Sequence, residues 1–288
     1  MRRQWAKRVK DYTGMMQLSC DIKPHRSVSD VFINQKMDVT ELVKYLEKKN
    51  KKGDKHYTFY HAVVTGIGKV YYNRPLLNRF VQDRHLFEHK DVSIAFVAKT
   101  AFNDKAEEMM IILKIDKDDN IDSISEKIAQ KVGGIRKVDS DKIDKKGANT
   151  IIDALGHLPN IIRIPIVEFL KWTDKKGIAP KVLEEDNIYY SSIILSNLGR
   201  LHSGAIFHNI TDFGNSSALA TIGEVREEEV IINGKKQVRK LCEFGINLDE
   251  RIGDGYYFVK SIQMLQYIFD HPEMLEDDAN EKIEYELR

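Results

Sequence analysis

Apolar residues recur with two different periods along this 288-residue chain. Helical spacing follows Asp38 over residues 39–46, and again over about 58–72, where Asn73-Arg74-Pro75 predicts the end of the helix. Helical spacing also dominates between 123 and about 185. Runs of apolar and β-branched residues predict strands at 92–98, 109–115, 190–195 and 218–225.

A hairpin is predicted over 230–238, around Asn233-Gly234. An Asn-Gly pair between alternating segments is a strong signal for a two-residue turn, because both positions need a positive φ. The return strand runs into four apolar residues that alternate with polar ones, namely Cys242, Phe244, Ile246 and Leu248. One face of this strand is therefore predicted to be buried.

Strands cluster before residue 116 and after residue 189, with helices interspersed. This order predicts one α/β domain, an α+β sandwich in which a mixed sheet is flanked by helices. We expect an N-terminal arm over 1–29, the domain over 30–275 with a helical insertion at about 123–185, and a loosely attached acidic tail over 276–288.

The composition argues for an ordinary globular protein. Apolar residues make up 42% of the chain, and 45 Lys and Arg balance 44 Asp and Glu. The near-zero net charge argues against nucleic acid and against an anionic membrane surface, which need a basic excess. We see no signal peptide and no uninterrupted apolar span, so we expect a soluble cytoplasmic protein. Cys20 and Cys242 lack the spacing of metal ligands, which predicts no metal site and a reducing compartment.

Two short stretches are the candidates for chemistry. Asp249-Glu250-Arg251-Ile252-Gly253-Asp254-Gly255 joins the buried return strand to a predicted helix. Taken by itself it has a sufficient structural explanation, since Asp254 would cap the helix and the glycines would ease a turn. Ser196-Asn197-Leu198-Gly199 ends another predicted strand, 54 residues before Glu250.

The two stretches together resemble a known family. The first is similar to the D-H-R-x-x-D-G signature of 2-oxoacid dehydrogenase acyltransferases, whose shorter form H-x-x-x-D-G marks chloramphenicol acetyltransferase. The second is similar to the S-N-L-G of the same family, and the resemblance extends over roughly residues 30–275. It implies a chloramphenicol acetyltransferase-like fold and acyl transfer from a CoA thioester to a small acceptor.

The resemblance also implies roles for individual residues. Ser196 would donate to the oxyanion of the tetrahedral intermediate, and Asp254 would brace the loop that carries the base. Glu250 stands where the family has histidine. An ordinary glutamate, with a pKa of about 4.3, is a weak base for a thiol of pKa about 8.5. Two functions therefore stay open: an acyltransferase with Glu250 as base, or a catalytically impaired member that binds CoA or has a structural or regulatory role.

Further expectations concern histidines, subunits and lipoylation. His208 is a candidate substitute base, although an ordinary surface or structural role is the favoured explanation for both His208 and His202. The resemblance implies a homotrimer whose active sites combine base and serine from adjacent subunits, with acyl-CoA as a substrate. The tripeptide Asp104-Lys105-Ala106 matches the surroundings of a lipoylated lysine, but no lipoyl domain is present to display it, so we expect no lipoyl group.

Overall fold

The computed structural model describes residues 5–53, 55–99, 108–136, 154–184 and 187–285. Nine strands are named here in chain order: β1 (Ala6–Arg8), β2 (Asp30–Asp38), β3 (Arg79–Gln82), β4 (His85–His89), β5 (Val92–Lys99), β6 (Glu108–Ile115), β7 (Ile193–Asn197), β8 (Ala218–Ile232) and β9 (Lys235–Asp249). The helices are α1 (Gly14–Ile22), α2 (Thr40–Lys52), α3 (Phe59–Asn73), α4 (Ile121–Arg136), α5 (Asn160–Lys176), α6 (Lys181–Glu184) and α7 (Gly255–Asp270).

Six strands form the main sheet, in the order β2-β9-β8-β7-β5-β6. Strand β7 runs parallel to both of its neighbours, whereas the other pairs are antiparallel. A second, three-stranded sheet has the order β1-β4-β3. The prediction of an α/β fold with a mixed sheet is confirmed.

The long β8–β9 hairpin turns at the predicted position. Asn233 and Gly234 have φ values of 51° and 74°, as the two-residue turn requires. Each strand has 15 residues, more than the sequence pattern indicated, and the pairing between them shifts register once, between Ile222 and Val225. The hairpin places Asp249, at the end of β9, next to the start of β8, where its amide donates to the carbonyl of Ser217 at 3.0 Å.

One face of the main sheet packs against helices α2, α3 and α7. Alternate residues of β9 point to this face, so Cys242, Phe244, Ile246 and Leu248 are buried, as predicted. Helix α3 begins at the predicted place because the Thr58 hydroxyl accepts from the amide of His61. The helical layer leaves the opposite face of the sheet to loops and to a small apolar cluster around Ile194.

The edge strand β2 was not predicted from the sequence, where only the helical spacing after Asp38 was seen. Met37 and Asp38 are its last residues, paired with Cys242 and Leu241 of β9, and the helix begins at Thr40. Val39 and not Asp38 occupies the N-cap position, but the Asp38 carboxylate accepts from the amide of Thr40, the first helical residue, at 2.9 Å. Polar residues on the outer face of an edge strand hid the alternation.

The C-terminal segment is held more firmly than we expected. The buried ammonium of Lys69 donates to the carbonyls of Asp277 and Asp278, at 3.0 and 2.6 Å. The side chains of Ala279 and Ile283 are buried in the main core. Because these contacts satisfy both backbone and apolar groups, residues 277–285 form part of the folded domain.

Three further expectations concern the cysteines, a membrane span and the lipoyl-like tripeptide. Cys20 and Cys242 are free and buried, and burial raises the pKa of the Cys242 thiol to about 12. Among the described residues, no helix has the length and apolarity needed to cross a bilayer. The lipoyl-like tripeptide 104–106 lies outside the described residues.

Candidate active site

Ser196 lies near the carboxyl end of β7, in the middle of the main sheet. Strand alternation puts it on the face of Ile194, opposite Leu195 and the helical layer. Its neighbour across the sheet is Thr221 of β8. The side chain is half-buried, and its hydroxyl has no hydrogen-bond partner within the described ranges. It is therefore a free donor on an accessible part of the sheet.

The rest of the Ser196 motif fixes the turn that follows the strand. The Asn197 side chain accepts from the amide of Gly199 at 3.2 Å. A Cβ atom at Gly199 would lie 2.7 Å from the carbonyl oxygen of Gly223 on β8. Only glycine permits this close approach, so the motif has a structural role in addition to any chemical one.

The two histidines that follow Ser196 lie on a loop over the same face of the sheet. His202 has a left-handed backbone, with φ 54°, and its Nδ1 is 2.5 Å from Glu224 Oε1. His208 is exposed, and its carbonyl oxygen accepts from Asn247 of β9 at 2.7 Å. Neither imidazole makes a described contact with Ser196.

Glu250 begins the turn after β9. Its amide donates to the carbonyl of Ser29 at 2.9 Å, and its carboxylate forms an ion pair with the ammonium of Lys23. The two side chains are about one-third exposed, at 37% for Glu250 and 36% for Lys23. The Glu250 carboxylate is therefore neutralised by an ion pair and lies within reach of solvent.

A buried ion pair fixes this turn from both sides. Asp249 and Arg251 flank Glu250, and they are 0% and 2% exposed. Their contact is bidentate, with Arg251 Nε and Nη2 donating to the Asp249 carboxylate at 2.8 and 2.7 Å. Burial by itself lowers the pKa of Arg251, but the hydrogen bonds and charge of Asp249 outweigh it and raise that pKa. Arg251 also donates to the carbonyl of Lys23 at 2.8 Å, which ties Lys23 to the same unit.

Asp254 caps helix α7. Its carboxylate accepts from the amide of Tyr257 at 2.7 Å, as the structural explanation of this residue predicted. The side chain is otherwise exposed. It contacts neither Glu250 nor Ser196 among the described hydrogen bonds, so its bracing action is on the start of the helix.

Ser196 and Glu250 are distant from each other within one protomer. Ser196 is level with Thr221 and, through it, with Gly245 of β9. Glu250 lies five residues beyond Gly245, about 16 Å along the strand direction, and β7 and β9 are two strand spacings apart, about 10 Å. The two residues are thus about 19 Å apart, too far to act on one carbonyl group.

The described residues contain no group of three or more His, Cys, Asp or Glu side chains that could hold a metal ion.

Comparisons with known proteins support the fold. No family model matches the sequence, and no curated protein matches it. The structure is similar to a probable dihydrolipoamide acetyltransferase from Listeria monocytogenes, with a TM-score of 0.59 and 16% identity over 92% of this chain and 95% of that one. A chloramphenicol acetyltransferase gives a TM-score of 0.57 and 11% identity, over 92% and 99% of the two chains.

The cubic core of a pyruvate dehydrogenase multienzyme complex is also similar, with a TM-score of 0.53 and 15% identity over 93% of each chain. At these identities the likeness concerns the fold. The chain has a chloramphenicol acetyltransferase-like α/β fold, as the resemblance of its motifs implied.

The sequence did not reveal the partners of the base position. Lys23 is 227 residues from Glu250, and no local pattern connects them. The Asp249–Arg251 pair was within reach of sequence reasoning, because alternate residues at the end of a buried strand share an environment. Its signal was two opposite charges two residues apart at the end of the strand, in phase with Gly245 and Asn247 and out of phase with the face of Cys242 and Leu248.

Proposed function

We propose that this chain catalyses acyl transfer from a CoA thioester to a small acceptor, as a homotrimer whose active sites combine Ser196 of one protomer with Glu250 of the next. The observation that carries the proposal is the acyltransferase fold over nearly the whole chain. Within that fold, both motif turns follow directly on strands of the main sheet.

The need for a second subunit follows from the distance within one protomer. A general base must reach the attacking atom within about 3 Å, and an oxyanion donor must lie equally close to the carbonyl oxygen of the thioester. The separation of about 19 Å between Ser196 and Glu250 does not allow this in one chain. A cyclic assembly can bring the two turns of different copies together, since each interface joins two different surfaces.

In this proposal, the Ser196 hydroxyl donates to the developing oxyanion. It is suited to the role because no group of the described chain already uses it. Glu250 accepts the proton of the attacking thiol, amine or hydroxyl group. Lys23 gives the pair zero net charge, which removes the repulsion that an isolated carboxylate would exert on the oxyanion. Asp254 supports the turn through its cap on α7.

The test is a CoA-release assay with acetyl-CoA and a panel of thiol, amine and hydroxyl acceptors. Ser196→Ala should lower kcat by about 10²- to 10³-fold, the usual effect of removing one oxyanion donor. Ser203→Ala is the matched control, because that hydroxyl donates to the carbonyl of Gly204 and should leave kcat unchanged. Equal turnover by the Ser196→Ala variant would contradict the assignment.

One observation favours a second function, that of a CoA-binding or structural and regulatory protein without turnover. The Glu250 carboxylate is engaged in an ion pair with Lys23, and an ion-paired carboxylate is a poor proton acceptor. Calorimetry with acetyl-CoA separates the two functions, because binding without CoA release supports the second. In that case Glu250→His should restore transfer, since only the base would be missing.

A further inference from the structure

A cavity of about 310 Å³ lies beside the turn that carries Glu250. Its walls come from residues 24–26, the end of β3, helix α5, residues 212–213 and Arg251. Glu250 itself does not line it, but Arg251 is its direct neighbour in the chain. The volume is at the lower end of the range for small-molecule sites.

Arg26 is the unusual group in the cavity wall. It is 2% exposed, and its guanidinium donates only to two backbone carbonyls, those of Thr211 at 2.9 Å and Val81 at 3.3 Å. An arginine has five N–H donors, so three, including that on Nε, lack an acceptor within the described chain. No described carboxylate lies within ion-pair distance of the guanidinium. Burial lowers the pKa of Arg26, and the charges of Asp249, Asp174 and Asp212 offset this only in part. A buried cation in this state is costly unless an anion joins it.

Gln82 presents the complementary group from the end of β3. It is 5% exposed, and its amide nitrogen donates to the carbonyl and the carboxylate of Asp174, at 2.8 and 3.0 Å. These two bonds fix the orientation of the amide. The carbonyl oxygen of the Gln82 side chain is buried and accepts from no described donor. The cavity wall therefore offers unused donors and one unused acceptor.

The remaining walls combine charged residues with two aromatic ones; the charged or titratable residues are His25, Asp83, Glu168, Lys171, Lys175 and Asp212. Trp172 of α5 lines the cavity and is 51% exposed. Phe213 also lines it and packs edge-on against Tyr190, with ring centroids 5.8 Å apart. Two rings around a small cavity favour a ligand with a planar or apolar portion.

We infer that this cavity binds a small organic acid. Its carboxylate bonds to Arg26, an O–H or N–H group donates to Gln82 Oε1, and its apolar portion packs against Trp172 and Phe213. The inference goes beyond the proposed acyl transfer and rests only on the cavity.

The test is calorimetry on the full chain with 3-phenyllactate, which has a carboxylate, a hydroxyl and a ring. Its amide keeps the shape but not the charge, and should bind at least about tenfold more weakly because the bonds to Arg26 are charge-assisted. 3-Phenylpropionate lacks the hydroxyl and should bind about fivefold more weakly. Equal binding of acid and amide, or no binding of 3-phenyllactate at millimolar concentration, overturns the inference.

Variants connect the binding to this cavity. Arg26→Met should abolish the preference for the acid over the amide. Because Arg26 is buried, its replacement can prevent folding, and Trp172→Ala therefore serves as the second variant. This change should weaken the binding of 3-phenyllactate at least about tenfold, because it exposes the phenyl ring of the ligand. Ile164→Ala is the matched control, since Ile164 is exposed on the same helix but does not line the cavity. Unchanged binding to the Trp172→Ala variant overturns the assignment.

The inference and the proposed function fail in different ways. Calorimetry with the acid needs no CoA, so intact binding without CoA release refutes the acyl transfer and leaves the cavity's ligand class standing. Transfer to neutral acceptors, together with no binding of 3-phenyllactate, refutes the ligand class and leaves acyl transfer standing.

Discussion

The buried pair that flanks Glu250 gives the most quantitative prediction about stability. Removing the carboxylate with Asp249→Ala leaves the Arg251 guanidinium, 2% exposed, with only the carbonyl of Lys23 as a partner. Breaking a buried pair in this way costs about 3–5 kcal/mol of unfolding free energy. The double change Asp249→Ala with Arg251→Met should cost less than the single change, because it removes the buried charge as well.

The assay is urea unfolding at one fixed protein concentration, so that any subunit equilibrium contributes equally to every variant. The coupling energy from the double-mutant cycle should be at least about 2 kcal/mol. Lys282→Ala is the control: Lys282 pairs with Glu284, both are more than 80% exposed, and stability should not change measurably. A loss below about 1 kcal/mol for Asp249→Ala, or simple additivity in the cycle, would refute the reasoning.

Three further predictions concern single positions. Burial lowers the pKa of His89 to about 4, so folding favours its neutral form. The free energy of unfolding should therefore be unaffected above pH 6.5 and fall by up to about 3 kcal/mol toward pH 4. In the His89→Phe variant the free energy of unfolding should change less steeply with pH in this range, and an unchanged slope would argue against the assignment. Both cysteine thiols are buried, and the pKa of each is raised. A thiol reagent at pH 8 should therefore label neither cysteine in the native protein and both cysteines in urea. Rapid labelling of the native protein would contradict their burial. Gly199→Ala should destabilise the protein by about 1–3 kcal/mol, because the added Cβ would contact Gly223. Gly133 has open space around it in α4, so Gly133→Ala should stabilise the protein by up to about 1 kcal/mol. If thermal unfolding shifts in the same direction for both variants, the packing argument is wrong.

The fold was largely predictable because its signals are local. The Asn233-Gly234 turn and the alternation from Cys242 to Leu248 depend on neighbours in sequence, and both were found. Strand β2 was missed because it lies at the edge of the sheet, where Gln35 and Lys36 obscure the period of two.

The candidate site was predictable only in part. The resemblance located the two motif turns, and Asp254 was understood as a helix cap from its position alone. The ion pair of Glu250 with Lys23 and the unused donors of Arg26 depend on contacts between distant segments. Such contacts follow from the packing of the whole chain and have no local sequence signal.

The relation between Ser196 and Glu250 is the central claim, and mixing two inactive variants tests it most directly. Ser196→Ala and Glu250→Ala chains are unfolded together in equal amounts and refolded, and CoA release is compared with that of each variant refolded alone. If each active site takes the serine from one subunit and the glutamate from the next, half of the serines and half of the glutamates are intact, so about one quarter of the sites and of the wild-type activity should return. Activity no higher than that of the separate variants would contradict a shared site.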